Sequence, residues 1–225
     1  FDLALNSLNL ISEEDLIFSW YKNKKKSSII KKQENETVAL NFLEKKFDGL
    51  KTNNIKILYD MGGIYKSFEK YDEAIKIYSK LLDLLDNRSK AYADILYRRG
   101  GSFERIGDYE TADKDLLDSL NITRENPYVL NYLAYSWLER NYKIELSMEM
   151  LKEAYDLRKN DPYITDSLGW GYYLINDFEN AEKYLKKAVE LMPYDPIVND
   201  HYGDILWMLN RKIQARYFWN NVLNL

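Results

Sequence analysis

Cysteine is absent from this chain of 225 residues, which excludes disulfides, thiolate metal sites and cysteine nucleophiles. A single histidine, His201, leaves almost no room for a histidine-based metal site or a catalytic dyad. Proline (4) and glycine (9) are scarce, which argues against a turn-rich all-β fold. Apolar runs stay well short of the roughly 18 residues that a membrane-spanning helix requires, so we expect no such span.

Neither sign of charge dominates, because the chain has 32 Lys and Arg and 36 Asp and Glu, which gives a net charge of −4. Nucleic-acid binders present a strongly basic face, so we predict no nucleic-acid partner. The one basic cluster comprises Lys22, Lys24, Lys25, Lys26, Lys31 and Lys32. We interpret it as a solvated helix face, with an anionic surface as the alternative ligand.

The chain does contain an internal repeat. A small residue recurs in helical stretches with spacings of 38, 34, 35 and 34, at Gly62, Gly100, Ala134, Gly169 and Gly203. A second small residue follows about twelve positions later, at Ala74, Ala112, Ser147, Ala181 and Ala215. Large residues keep the same step, at Tyr65, Phe103, Trp137, Tyr172 and Leu206, and at Tyr78, Leu116, Leu151, Leu185 and Trp219. Such a period is the signature of a solenoid.

Each unit is predicted to be a pair of antiparallel helices, in which the small residue of the first helix lets the second approach closely. Asn126-Pro127, Asp161-Pro162 and Asp195-Pro196 provide an N-cap followed by proline at the first helical position. The predicted pairs are 54–68 with 71–85, 90–106 with 109–121, 127–140 with 144–157, 162–175 with 178–191, and 196–209 with 212–224. Tyr65, Phe103, Trp137, Tyr172 and Trp219 are expected to pack in the core.

The N-terminal part departs from the repeat pattern. We predict helices at 16–33 and 36–50 forming one degenerate repeat, with a helix start at Ser12 to Asp15. Residues 1–10 are expected to be the tail of a helix from a repeat upstream, since the chain opens at Phe1 inside a helical pattern. The expected organisation is therefore 1–54, cut from a longer array, and 55–225, five repeats.

The period of 34 and the small/aromatic/small order resemble the tetratricopeptide repeat. The last hundred residues further resemble a family of proteobacterial tetratricopeptide proteins, through DSLGW at 166–170 and NDHYGD at 199–204 followed by Trp207. Tyr202 stands where that family usually has Leu. The resemblance implies an all-α, right-handed superhelical solenoid that acts as a partner-binding adaptor or scaffold. Some members are periplasmic lipoproteins, so it implies a periplasmic location, with the cytoplasm as the alternative.

Sequence motifs for catalysis are missing. Gly100, Gly101 and Gly107 give neither a dinucleotide-binding nor a phosphate-loop pattern. His201 without a second histidine is better interpreted as a polar residue facing a groove than as a base or ligand. Acid pairs such as Glu13/Glu14 and Asp113/Asp115 are typical of solvated helix faces. We therefore expect no enzyme activity, no catalytic residue, no cofactor and no metal.

The remaining aromatic residues indicate a binding surface. In a solenoid of helix pairs the first helices line the concave face, and counting from the small residues places a set of aromatic and acidic side chains there. Aromatic rings flanked by carboxylates are typical of a surface that binds a peptide or a helix. The predicted ligand groove comprises Tyr97, Tyr128, Tyr135, Tyr163, Asp166, Trp170, Tyr173, Asp200, Asp204 and Trp207. Neighbouring repeats covering these rings would be the structural alternative.

Two functions follow from this surface and from the repeats. The first is a protein-binding module whose partner carries basic and apolar side chains. The second is a self-association module, because the exposed terminal faces of a solenoid could join copies into a homo-oligomer.

Overall fold

The computed structural model describes residues 7–8, 10 and 15–223. From residue 15 onward these form twelve helices and no strand. The first four are α1 (Leu16–Gln33), α2 (Glu36–Leu50), α3 (Ile55–Ser67) and α4 (Tyr71–Leu82). The next four are α5 (Lys90–Arg105), α6 (Tyr109–Ile122), α7 (Pro127–Glu139) and α8 (Ile144–Leu157). The last four are α9 (Pro162–Leu174), α10 (Phe178–Leu191), α11 (Pro196–Met208) and α12 (Lys212–Val222).

The helices group into two compact units, residues 1–85 and residues 86–225. The division falls at the loop after α4, where the spacing between repeats is four residues longer than elsewhere in the array. It therefore differs from the sequence division at 54, which separated the degenerate repeat from the regular ones. We call the two parts unit 1, with α1 to α4, and unit 2, with α5 to α12.

Local capping explains where the helices begin. Asn126, Asp161 and Asp195 each accept hydrogen bonds from backbone N–H groups of the following turn, and each precedes a proline at the start of its helix. Asp15 caps α1 in the same way through N–H groups of Ile17 and Phe18. Ser12 to Glu14 and most of residues 1–10 lie outside the described residues.

The turn inside each helix pair also repeats. A residue with positive φ ends the first helix of every pair from α3 onward, at the repeat spacing: Glu69, Gly107, Asn141, Asn176 and Asn210. The left-handed conformation suits glycine and asparagine, and it reverses the chain within a few residues. The predicted helix bounds agree with the structure within three residues. They do so because each cap and turn depends on the residue types at the helix end itself.

Close approach of the two helices in a pair confirms the reason for the small-residue column. A Cβ added at Gly62 would lie 2.6 Å from the Tyr78 ring, and one added at Gly169 would lie 2.7 Å from Leu185. One added at Gly203 would meet the indole of Trp219.

The large-residue columns are buried less uniformly than predicted. Tyr65 and Trp137 are buried, but Phe103, Tyr172 and Trp219 are only half-buried. Tyr172 and Trp219 still pack against the buried clusters of unit 2, so the prediction of core packing was wrong only in the degree of burial for these two rings. The indole N–H of Trp219 also donates a hydrogen bond to the carboxylate of Asp204.

Candidate functional site

A cavity of about 400 Å³ opens on the face formed by the first helices of unit 2. Polar and aromatic side chains from α5, α7, α9 and α11 surround it. Its lining residues are Glu104, Arg105, Asn131, Tyr132, Tyr135, Ser136, Glu139, Tyr163, Asp166, Ser167, Ile197 and His201. Its size falls in the range typical of ligand pockets, and three carboxylates share it with one guanidinium and one imidazole.

The back of this cavity is a hydrogen-bonded pair. His201 Nδ1 lies 2.8 Å from Asp166 Oδ2, and both side chains are at least nine-tenths buried. The partners come from α11 and α9, the first helices of neighbouring repeats. Burial alone would lower the pKa of His201, but the hydrogen bond and the charge of Asp166, with the charges of Asp200 and Asp204, outweigh it and raise this pKa above its usual value.

Trp170 adjoins this pair. Its ring stacks on His201 with centroids 4.1 Å apart and on Tyr173 with centroids 4.6 Å apart. Its indole N–H donates to Glu139 Oε1 over 2.7 Å. Trp170 thus joins three first-helix side chains of α7, α9 and α11 and fixes the position of His201.

The opposite wall is built around Tyr132. The Tyr132 hydroxyl donates to Glu104 Oε2 over 3.0 Å, and the Tyr132 ring meets Tyr97 edge-to-face. Burial first, and then the charge of Glu104, raise the pKa of Tyr132 far above its usual value. Burial likewise raises the pKa of Tyr135, with Glu139 and Asp166 adding to the shift. Both phenols therefore stay neutral donors at physiological pH.

A second group of predicted residues lies toward the C-terminal end of the same helices. Trp219 Nε1 donates to Asp204 Oδ1 over 3.2 Å, and the Trp219 ring lies 5.4 Å from the ring of Trp207. Lys212 Nζ lies 5.0 Å from the centre of the Trp207 ring, which is 38% exposed. Burial, followed by the charge of Asp200, raises the pKa of Asp204 above its usual value.

A larger depression of about 690 Å³ lies elsewhere in unit 2, between α6 and the turn after α7. Three of its charged groups, Asp113, Arg140 and Lys143, already have partners in the chain. Arg140 Nη2 donates to Asp113 Oδ1 over 2.7 Å, and Trp137 Nε1 donates to the other oxygen of that carboxylate. Lys143 Nζ lies 4.3 Å from the centre of the Trp137 ring. Because these groups satisfy one another, this depression offers less to a ligand than the cavity on the first helices.

Neither a metal site nor a membrane span is found among the described residues, which contain no group of His, Asp and Glu that could hold a metal ion and no helix long and apolar enough to cross a membrane. The Asp166–His201 hydrogen bond is of the kind that a hydrolase triad contains. However, within residues 15–223 no serine hydroxyl is hydrogen-bonded to His201, so the nucleophile of a hydrolase triad is not in place.

Comparison with known proteins decides what the helix pairs are. The tetratricopeptide repeat family model matches residues 55–84 and residues 167–195. These two segments are tetratricopeptide repeats. The predicted resemblance and the all-α class with paired helices are therefore confirmed. Tetratricopeptide repeats are in general non-enzymatic scaffolds that bind proteins or peptides.

Curated proteins similar to this chain include a bacterial and a eukaryotic protein. The chain is 30% identical over 122 residues to the TPR repeat-containing protein PA4667 of Pseudomonas aeruginosa, covering 54% of this chain and 19% of that protein. It is 27% identical over 133 residues to the anaphase-promoting complex subunit CDC16 of Saccharomyces cerevisiae, covering 57% of this chain and 15% of that protein. The chain thus spans less than a fifth of the length of these curated relatives.

Solved structures with tetratricopeptide repeats share the fold. The protein pilF of Pseudomonas aeruginosa superimposes with a TM-score of 0.65 at 20% identity, covering 76% of this chain and 75% of that one. MamA of Desulfovibrio magneticus RS-1 superimposes with a TM-score of 0.60 at 17% identity, covering 76% of this chain and 93% of that one. At these identities the likeness concerns the fold alone.

The predicted groove residues all lie on the first helices of unit 2, namely α5, α7, α9 and α11. Tyr135, Tyr163 and Asp166 line the cavity, and Trp170 and Tyr173 adjoin it through stacked rings. Tyr97 supports the cavity wall from behind Tyr132. Asp204 and Trp207 form the second group, and Tyr128 and Asp200 are exposed outside the cavity.

Two of the predicted groove residues make close contacts within the chain. Trp170 is stacked on Tyr173 of its own helix and on His201 of α11. Asp166 lines the cavity but is 6% exposed and bonded to His201.

The cavity also contains residues that were not assigned to the groove. Relative to the small residue of each first helix, Tyr132, Ser167 and His201 all lie two positions before it, and Asn131 shares the position of Asp166, three before it. Their positions in the repeat could therefore have predicted that these residues line the cavity. Of these four residues, only His201 was predicted from the sequence to face a groove.

Proposed function

We propose that unit 2 binds a segment of a partner protein on the face formed by α5, α7, α9 and α11. The observation that supports the proposal is the cavity on this face, where tyrosine rings and carboxylates from α5, α7 and α9 converge with His201 of α11. Aromatic rings supply contact area at low entropic cost, and fixed carboxylates select basic groups on the ligand. A partner segment with basic and apolar side chains matches this surface.

Two exposed rings on this face are suited to contact the partner directly. Tyr163 lines the cavity and is 57% exposed, and Trp207 lies on the neighbouring first helix at 38% exposure. Neither ring is needed to fill the core, so each can be removed with little effect on folding. Trp170 contributes to the same face by holding its neighbours in position.

The proposal is tested by selecting displayed twelve-residue peptides of random sequence on the full chain. Selected peptides should lose affinity by about 1–3 kcal/mol, roughly 5- to 150-fold, on Tyr163→Ala or Trp207→Ala. Tyr194→Ala is the matched control, because Tyr194 is 80% exposed and lies outside the cavity. The circular dichroism of all three variants should match the parent. Selection that yields no binder, or binders equally affected by the control, would refute the groove.

Self-association is the second candidate, supported by the last helix. On α12 and just after it, Ile213, Tyr217 and Leu223 are 85%, 63% and 83% exposed, so this end presents an apolar surface. Light scattering over a hundredfold range of concentration tests it: a dimer that Ile213→Asp dissociates supports self-association, and a monomer throughout excludes it. The periplasmic location implied by the resemblance stays a prediction, tested by fractionating the native cells.

A further inference from the structure

The cavity of unit 2 contains buried oxygen atoms that no group among the described residues satisfies. Asp166 Oδ2 is hydrogen-bonded to His201, but Asp166 Oδ1 has no hydrogen-bond partner although the side chain is 8% exposed. Asn131 Oδ1 is likewise buried without a partner, and both residues line the same cavity. Buried acceptors in folded proteins are nearly always paired with protein, water or ligand, so these two mark where donors from outside the chain would bind.

The charge around these atoms specifies the kind of donor. Glu104, Glu139 and Asp166 place three carboxylates on the cavity, against one guanidinium, Arg105, and the imidazole of His201, which is already bonded to Asp166. Glu104 and Glu139 each accept one hydrogen bond, from Tyr132 and Trp170, and a carboxylate can accept more than one. A cationic ligand with several N–H groups would therefore balance the negative charge and donate hydrogen bonds to the remaining acceptor positions.

The aromatic residues of the cavity favour arginine over lysine as the source of this cation. Tyr132, Tyr135 and Tyr163 present three rings to the cavity. Guanidinium is planar, carries five N–H donors and stacks on aromatic faces, whereas an ammonium group is compact, strongly hydrated and has three donors. A cavity with flat aromatic walls and several separate acceptors suits guanidinium better than ammonium.

We infer that this cavity takes one arginine side chain of the bound segment, with Asn131 Oδ1 and Asp166 Oδ1 accepting its N–H groups. The inference rests on the proposed function, because it assigns one position of the segment that the groove binds. It goes further by naming arginine over lysine and by giving Asn131 a direct role in recognition. The main chain of the segment would cross the exposed part of the face beside Tyr163.

Peptides selected on the full chain are the probe. We expect one position to be arginine in most of them, and a synthetic peptide of that sequence is then compared with versions that carry Lys, citrulline or norleucine there. Arginine should bind best, by about tenfold or more over lysine and citrulline, the latter keeping the shape and losing the charge. N-acetyl-arginine amide alone should compete weakly, which separates recognition of the free side chain from recognition of the segment.

Variants of the chain locate the site. Asn131→Ala and Asp166→Asn should remove most of the preference for arginine over norleucine. The matched controls are Asn121→Ala and Asp156→Asn, two exposed positions outside the cavity, which should keep it. Thermal unfolding of each variant shows whether it is folded, and Asn131→Ser serves as a milder replacement if Asn131→Ala is not.

The outcomes separate this inference from the function on which it rests. Peptides that bind in a Tyr163-dependent manner without an arginine preference would overturn the arginine pocket and leave the groove in place. An arginine preference that survives both Asn131→Ala and Asp166→Asn would place the pocket elsewhere and overturn the assignment. Failure to select any peptide would overturn the pocket together with the groove.

Discussion

Adjacent glycines in α3 offer a direct test of the packing that defines each repeat. A Cβ at Gly62 would lie 2.6 Å from Cε1 and 3.0 Å from Cδ1 of the Tyr78 ring, which is fully buried. A Cβ at Gly63, the next residue of the same helix, would meet nothing within 4 Å. Gly62→Ala and Gly63→Ala therefore make the same chemical change in opposite surroundings.

Two opposing effects decide whether each alanine variant is more or less stable than the parent. Replacing glycine by alanine inside a helix stabilises it by about 0.5–1 kcal/mol at either position, because the unfolded chain loses less entropy on folding. At Gly62 the added methyl group also forces the Tyr78 ring or the second helix to move, and overpacking of this kind costs about 1–3 kcal/mol. We expect Gly63→Ala to stabilise the chain and Gly62→Ala to destabilise it, with a difference of about 1–3 kcal/mol.

Urea unfolding followed by circular dichroism at helical wavelengths measures this difference, and hydrogen exchange of unit 1 confirms where it arises. A second variant, Gly62→Ala combined with Tyr78→Leu, should recover part of the loss, because the smaller side chain makes room for the methyl group. Equal stabilisation by the two alanines would show that the small-residue column does not reflect close helix contact, and the packing argument would fail.

Three further outcomes concern the site in unit 2. Because the folded-state pKa of His201 is raised by its bond to Asp166, the stabilisation from this pair should be fully present below about pH 6.5 and lost as pH rises through the raised value. His201→Phe should remove that pH dependence from thermal unfolding curves. Asp204→Asn should gain stability relative to the parent as pH rises above the usual carboxylate range, because burial raises the pKa of Asp204, and equal curves at pH 7 would contradict this. Trp170→Ala should lower the stability of unit 2 by about 1–3 kcal/mol, since its ring is stacked on two neighbours, and an unchanged melting temperature would show that the stacks are unimportant.

Local signals in the sequence were enough to place the helices. Asn and Asp caps before proline, and asparagine or glycine at the turn, each act within a few residues. Asp161-Pro162 and Asp195-Pro196 therefore begin helices as predicted. The small residues act across one helix pair, as between Gly62 and Tyr78. The repeat spacing then indicated which side chains of a first helix share a face, and it placed Tyr135, Tyr163 and Asp166 together.

The chemistry of the site depended on contacts between repeats. Asp166 and His201 are 35 residues apart in the chain, and they meet only because α9 and α11 pack side by side. Repeat spacing gives the same face to an exposed carboxylate such as Asp200 and to a buried one such as Asp166. It therefore could not show which acids lose their contact with water, nor that Trp170 would stack on His201.

The sequence by itself thus determined the helix pairs, their turns and the face that carries the polar and aromatic residues, since each of these follows from residues near one another in the chain or from one fixed period. Tertiary structure alone decided which of those residues are buried, paired or left with an unsatisfied oxygen. The physical reason is that burial and hydrogen bonding are set by the side chains of neighbouring repeats, whose identities differ from unit to unit even where the period is kept.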